Sequence, residues 1–232
     1  LLGDDDSDFS LPGVLPIVWT RSYAFINAKT GILGTGWSLP FELELMFQDG
    51  KANFVDEQGR IIPFADLLPG ERFYSVPEGL QISRDTAGYY YVAVPSAGWT
   101  YSFGPRKTGL ETERLVMQDW TDRNNNAIVF HRDEAGLVKH ISDTSGHRLA
   151  LTYGSSNLPA GQHARLLHVD LLAGAMSSRL VAYRYTADGD LEAVVDRMNT
   201  VVKQFRWNNH IMVSQQFASG LLAQYDWSLC DP

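Results

Sequence analysis

Cysteine is almost missing from this chain. Cys230 is the single thiol in 232 residues, so no internal disulfide can form and stability must come from burial. No apolar run approaches the roughly 20 residues that a membrane helix needs. No signal-peptide pattern opens the sequence, because Leu1-Leu2-Gly3 runs straight into aspartates. A basic stripe is absent too: 19 Lys and Arg against 27 Asp and Glu leave a net charge of −8, which argues against a nucleic-acid binder, since phosphate contacts require clustered cations. Convincing helical periodicity is nearly absent, which removes bundles and α/β folds. There is no initiator methionine, and the sequence stops at Cys230-Asp231-Pro232 just after a strand pattern; it reads as a fragment or a processed piece of something longer.

What is present is alternation. Hydrophobic residues at 44% and charged residues at 20% allow a packed core, and the length suits one large all-β domain or two ordinary ones. Phe41–Phe47 begins by alternating apolar and acidic residues, Asp49-Gly50 supplies a turn, and Ala52–Val55 returns, which predicts a hairpin. Further strands are predicted at Tyr89–Val94, Trp99–Phe103, Ala127–Arg132, Val138–Ser142, Arg148–Tyr153, Arg165–Leu172, Leu180–Tyr185, Leu191–Val195, Val201–Trp207, His210–Phe217 and Leu221–Trp227. Turn formers separate most of them, and residues 154–161 read as a flexible link.

The second half carries a repeated phrase. Gly136 is followed seven residues later by Asp143, and Gly146 comes three after that; Gly189 leads likewise to Asp196 and Asn199. Asp122 with Asn125 repeats the aspartate half alone. Gly220 opens another strand, and aromatics flank the phrases, among them Tyr153, Tyr185, Trp207 and Tyr225. A unit of about twenty residues is the mark of a stacked repeat. Glycine before a strand permits a backbone angle that other residues resist, aspartate can accept hydrogen bonds from turn amides, and aromatics on neighbouring strands can stack.

The order of motifs carries a family resemblance. Asp8–Tyr23, with Leu11-Pro12-Gly13 and Trp19-Thr20-Arg21-Ser22-Tyr23, resembles the opening of the core region of Rhs proteins, the YD-repeat family. Gly31–Pro40, Val55–Arg60 and Leu68–Glu71 are similar to the motifs that follow there, and His210-Ile211-Met212 is similar to its H-x-M step. The repeats are degenerate: His131-Arg132-Asp133 and Tyr185-Thr186-Ala187-Asp188 stand where Tyr-Asp is expected. The resemblance implies an all-β chain, an N-terminal β meander or small barrel leading into a YD-repeat sheet that forms part of a curved shell, or cocoon. It implies an acidic lead-in at 1–13, an N-terminal β region at 14–118 and YD repeats at 119–232. The expected role is structural and non-catalytic: part of a shell around a C-terminal toxin, delivered by type VI secretion. The implied partners are the rest of the shell and its toxin, a spike protein reached through an upstream PAAR-like domain, and a chaperone or immunity protein. No nucleic acid, membrane segment, metal or cofactor is expected. The protein would be made in the bacterial cytoplasm and then secreted or delivered.

Individual side chains offer weaker alternatives. Asp4, Asp5, Asp6 and Asp8 lack the spacing of a calcium loop and read as a solvated lead-in. Asp188, Asp190 and Glu192 suit an acid/base cluster but read as turn and surface carboxylates. Glu42 and Glu44 have the separation of a glycosidase pair, yet read as the polar face of a strand. His131, His140, His147, His163, His168 and His210 are scattered, and nothing near Cys230 resembles a catalytic cysteine motif. Gly31, Gly34 and Gly36 do not fit a phosphate loop and are assigned to backbone packing. Two rivals remain. One is a carbohydrate- or surface-binding module using Trp99, Trp120 and Trp207; the other is a β-rich hydrolase, which requires its carboxylates to converge in one cleft.

Overall fold

A computed structural model describes residues 4–25, 30–106, 113–154 and 164–227, with only the backbone described at Asp4 and Asp5. The chain is all-β. Its first strands are β1 (Asp4–Leu11), β2 (Ile17–Tyr23), β3 (Thr30–Gly31), β4 (Gly34–Thr35) and β5 (Trp37–Ser38). Then come β6 (Glu44–Gln48), β7 (Lys51–Val55), β8 (Ile61–Ala65), β9 (Arg72–Ser75), β10 (Leu80–Arg84), β11 (Tyr90–Val94), β12 (Trp99–Phe103) and β13 (Glu113–Asp122). The remainder are β14 (Ala127–Arg132), β15 (Val138–Asp143), β16 (Arg148–Gly154), β17 (Arg165–Ala173), β18 (Met176–Tyr185), β19 (Leu191–Asp196), β20 (Val201–Asn208), β21 (Ile211–Phe217) and β22 (Leu222–Gln224). Among the described residues no helix is long and apolar enough to cross a membrane.

Contacts divide the chain into two units. One comprises Ser10–Trp19 and Leu39–Arg148, the other Leu1–Phe9, Thr20–Ser38 and Leu149–Pro232. In the first, β6, β7 and β8 form an antiparallel meander, and β9 to β15 add one after another in the same sense. The ten-residue β13 has two jobs. Residues 117–122 pair with β12, whereas Glu113–Val116 pair with Glu44–Phe47 of β6, so the meander curls back onto its first hairpin. Phe47, Phe54, Ile82, Tyr90, Phe103 and Met117 fill that core. In the second unit β16 to β22 form an unbroken antiparallel succession. Its core holds Trp37, Leu149, Val169, Tyr183, Val194 and Phe205.

One five-residue turn joins strands again and again. It begins at Asp56, Asp85, Asp122, Asp133, Asp143, Thr186, Asp196 and Phe217. In each, the first residue's N–H donates to the fifth residue's carbonyl, and the fourth residue's N–H donates to the first residue's carbonyl. The fourth residue always has positive φ: glycine in six turns, and Asn125 (61°) and Asn199 (60°) in the others. Where an aspartate leads, its Oδ1 accepts the fifth residue's amide at 2.7–2.9 Å. Thr186 substitutes its Oγ1 for the carboxylate, accepting from Asp190 N at 3.2 Å. The Gly-to-Asp interval of the sequence phrase is therefore the strand between two successive turns, and the same turn also stands in the first half, at Asp56 and Asp85.

The turns separate two costs. At Gly146 (φ +94°) an added Cβ would meet nothing within 4 Å, so Gly146→Ala is expected to cost about 1–2 kcal/mol from backbone strain alone. Asn199→Gly relieves a tolerated left-handed conformation at some cost in unfolded-state entropy, and is expected to move stability by less than about 0.5 kcal/mol. Urea unfolding of both variants checks the contrast. Asp122 adds a pH signature. The Asn126 side-chain amide and the Asn126 and Asn124 backbone amides hold its carboxyl below its ordinary value. A lowered folded value contributes stability that is complete above the unfolded value and is lost as pH falls through the folded one. Asp122→Asn is expected to flatten part of the acid limb of stability between about pH 5 and pH 2, read from unfolding midpoints across that range.

Candidate functional site

The residues singled out from the sequence fall into distinct settings. Asp122, Asp143 and Asp196 open turns, and Gly136, Gly146, Gly189 and Gly220 supply their positive-φ position. The aromatics do not form one stacked ladder. Tyr185 donates its hydroxyl to Leu166 O at 2.6 Å, and Trp207 donates Nε1–H to Leu191 O at 2.6 Å. Tyr225 tilts against Trp227 at 6.0 Å, whose Nε1–H reaches Met212 O at 2.7 Å. Tyr153 sits at a register shift opposite Leu166. Tyr185, Trp207 and Trp227 thus tie their polar tips to carbonyls.

A cleft of about 580 Å³ lies in the second unit, with Asp188, Asp190, Glu192, Phe205, Trp207 and His210 among its walls. Thr186, not Asp188, occupies the leading position of its turn, and this moves Asp190 into β19's approach as a buried residue, 3% exposed. Both Asp190 oxygens lie 2.9 Å from His210 Nδ1. Asp190 is thus not the surface carboxylate read from the sequence. Its partner stands on the two-residue turn between β20 and β21, where Asn209 (φ 50°) and His210 (φ 64°) both adopt left-handed backbone. A glycine is usual at the second position; the tie to Asp190 holds a histidine there instead. Gly34 allows the close approach to the turn that Thr186 leads, since a Cβ on it would stand 3.1 Å from Gly189 O.

The other carboxylates are structural. Glu44 is 4% exposed and ion-paired with Arg114 across β6 and β13, which corrects its assignment to a solvated strand face; its partner lies 70 residues away. Glu42 lies before β6 and accepts Leu39 N at 2.9 Å. The two belong to one unit, while Asp188 and Glu192 line a cleft of the other. The reading of Asp6 and Asp8 as solvated is corrected as well. Asp8 accepts both Arg21 Nε (2.7 Å) and Nη2 (2.8 Å) and the Tyr183 hydroxyl (2.6 Å), while Asp6 pairs with Lys203. Burial opposes the charge of Arg21, yet Asp8 and its neighbours hold its pKa above the ordinary value.

Histidines pair singly. His131 meets Ser142 at 2.9 Å, His147 meets Asp143 at 2.7 Å and His168 meets Asp170 at 3.0 Å. Among the described residues no group of three His, Cys, Asp or Glu side chains is arranged to hold a metal ion. His163, Cys230 and the 155–161 part of the expected link lie outside the described residues. The site therefore offers an oriented imidazole, carboxylates and the Thr186 hydroxyl, whose Oγ1 accepts from Asp190 N.

Residues 2–64 match a family described as a domain of unknown function, DUF6531. The chain is 30% identical over 231 residues to "Double-stranded DNA deaminase toxin A" of Burkholderia cenocepacia (strain H111), covering 98% of this chain and 15% of that protein. It is 27% identical over 264 residues to "Toxin protein Tse5" of Pseudomonas aeruginosa (strain PAO1), covering 98% of this chain and 20% of the relative. The chain thus spans at most about a fifth of these relatives. The N-terminal domain of effector protein SpvB from Salmonella typhimurium strain LT2 aligns with 95% of this chain and 99% of its own at 11% identity and a TM-score of 0.38, too distant to define a shared architecture. With an ordered series of motifs, a domain match over its opening and two toxin relatives aligned along nearly its whole length, this is an Rhs-like, toxin-related chain.

Proposed function

We propose that the chain is the leading part of an Rhs-type shell that encloses a C-terminal toxin and performs no chemistry of its own. The observation that carries this is the shared turn. Eight hairpins close with the same backbone bonds, so each new strand adds beside the last, and stability accumulates from neighbour to neighbour as in other repeat architectures. Such a scheme lengthens a wall; it does not gather reactive groups. Glu42 accepts from Leu39 N, Glu44 is ion-paired with Arg114 and Asp190 is held by His210, and these structural ties speak against the hydrolase rival. Within this reading residues 1–13 lead in, 14–118 form the N-terminal shell region and 119–232 are YD repeats. The partners would be the remaining shell, the enclosed toxin, a PAAR-like domain docked on a type VI spike, and a chaperone or immunity protein. Synthesis would be cytoplasmic, followed by delivery to a target cell.

The test is protease protection in a full-length protein that carries this chain. The toxin segment is expected to resist cleavage until denaturant opens the shell. Cleavage at the rate of the isolated toxin segment would sink encapsulation.

A further inference from the structure

A second cleft, of about 320 Å³, opens on the first unit where β11, β12 and β13 run side by side. Its walls include Tyr89, Tyr91, Ser102, Gln118, Asp119 and Thr121. Register explains the grouping. Tyr91 stands opposite Ser102, Ser102 opposite Asp119, and Thr100 opposite Thr121, so alternation brings these side chains to one face. Trp99, Tyr101 and Trp120 alternate onto the other face, where Trp120 meets Trp99 edge-on at 4.9 Å and Tyr101 at 5.8 Å. Trp99 and Trp120, which the sequence nominates for a ligand groove, therefore point away from it.

Two local departures from regular sheet shape the cleft. The pairing slips between Ser102 and Phe103, passing from Asp119 to Met117. This bulge leaves Gln118 extra and brings it beside Asp119 in the same wall; bulges commonly re-aim a side chain in this way. Gly104 makes room for it: a Cβ there would lie 2.4 Å from Gln118 Nε2. The remaining groups are held in place. Ser102 Oγ donates to Asp119 Oδ2. Tyr91's hydroxyl donates to Asp85 Oδ2 at 3.0 Å, and Tyr89 N donates to Asp85 Oδ1 at 2.9 Å.

We propose that this cleft is a carbohydrate subsite that takes a neutral, hydroxyl-rich sugar ring. Carboxylate oxygens accept from sugar hydroxyls, the Gln118 amide donates and accepts, and Thr121 does both. Tyr89 and Tyr91 offer flat apolar faces with polar tips, the amphipathic surface that a sugar ring presents in return. Among the described residues no Lys, Arg or His lines the cleft, and two carboxylates do, so phosphorylated and acidic sugars are repelled. The proposal is independent of the shell reading, because a shell segment and a free-standing module would carry the same cleft.

Isothermal titration of the chain tests it, with N,N′-diacetylchitobiose and maltose as neutral probes, glucose 6-phosphate as the anion and spermidine as the cation. Saturable binding of a neutral disaccharide is expected, in the range of about 1–10 mM. Gln118→Ala is expected to weaken it about tenfold, the loss of roughly one hydrogen bond to an oriented polar group. Gly104→Ala should do the same with an unchanged melting temperature, since the new methyl displaces only the end of a flexible side chain. Absence of saturation by both disaccharides overturns the proposal. So does binding that survives in both variants, or binding of spermidine or glucose 6-phosphate alone.

Discussion

Arg21→Met is expected to destabilise the protein by about 3–5 kcal/mol, the cost of breaking one partner out of a buried ion pair. Arg21 is 1% exposed and holds Asp8, itself 4% exposed, through two parallel hydrogen bonds of 2.7 and 2.8 Å. Asp6 stands 3.6 Å from the same guanidinium, and Lys203 closes the group on the other side of Asp6. Two positive and two negative charges thus balance away from water. Removing Arg21 leaves Asp8, among the described residues, with the Tyr183 hydroxyl, which cannot neutralise it. The pair as a whole has a different value from either half. Replacing both members, Arg21→Met with Asp8→Leu, is expected to recover most of the loss, because apolar substitutes of similar volume shed the desolvation cost together. Urea unfolding of the two single variants and the double variant measures this. A double variant as unstable as Arg21→Met would show that the charges themselves, and not their mutual neutralisation, hold β1 and β2 in place.

The second large effect is expected at Trp37. This ring is 2% exposed and packs at 5.3 Å against Tyr23 and edge-on at 5.2 Å against Phe205. It also lies under the Arg21 guanidinium at 4.9 Å. Trp37→Ala is expected to cost about 3–5 kcal/mol through the cavity it leaves. Trp37→Phe should be much milder, since Nε1 has no hydrogen-bond partner among the described residues, and deleting a buried unpaired N–H offsets part of the lost area. A cycle combining Trp37→Ala with Arg21→Met should reveal a coupling of about 0.5–2 kcal/mol, the scale of a desolvated cation–π contact. Unfolding midpoints that add without coupling would assign the ring to volume alone.

How much of this was legible in the sequence depended on how far each contact reaches. The strands and the turns were legible because their causes are local: Asp143 and Gly146 sit three residues apart and make their bonds within five residues. Asn125 and Asn199 could be read as glycine substitutes for the same reason. Thr186 was missed as a turn opener because Asp188 offered a more familiar Asp-Gly signal two residues later. The turns at Asp56 and Asp85 carried the same Asp-x-x-Gly spacing, which would have revealed them. Burial of carboxylates was not legible. Glu44 looked like the polar half of an alternating strand until Arg114 closed over it, and Asp8 looked like a solvated acid until Arg21 and Tyr183 did so. The bulge that turns Gln118 beside Asp119 left no signal of its own, since it follows from how β12 and β13 meet.

Each five-residue turn completes its own closing bonds, and other parts of the chain add to some tips, as Val14 N does to Ser145 and Arg132 to Gly136 O. Around Gly136 and Gly146 there is open space where a side chain would stand. New residues grafted at such tips can be accommodated while the strands behind them keep their partners. Lineages can therefore vary those open positions, in length as well as identity, at less risk to folding than tips such as Ser145 that other segments hold.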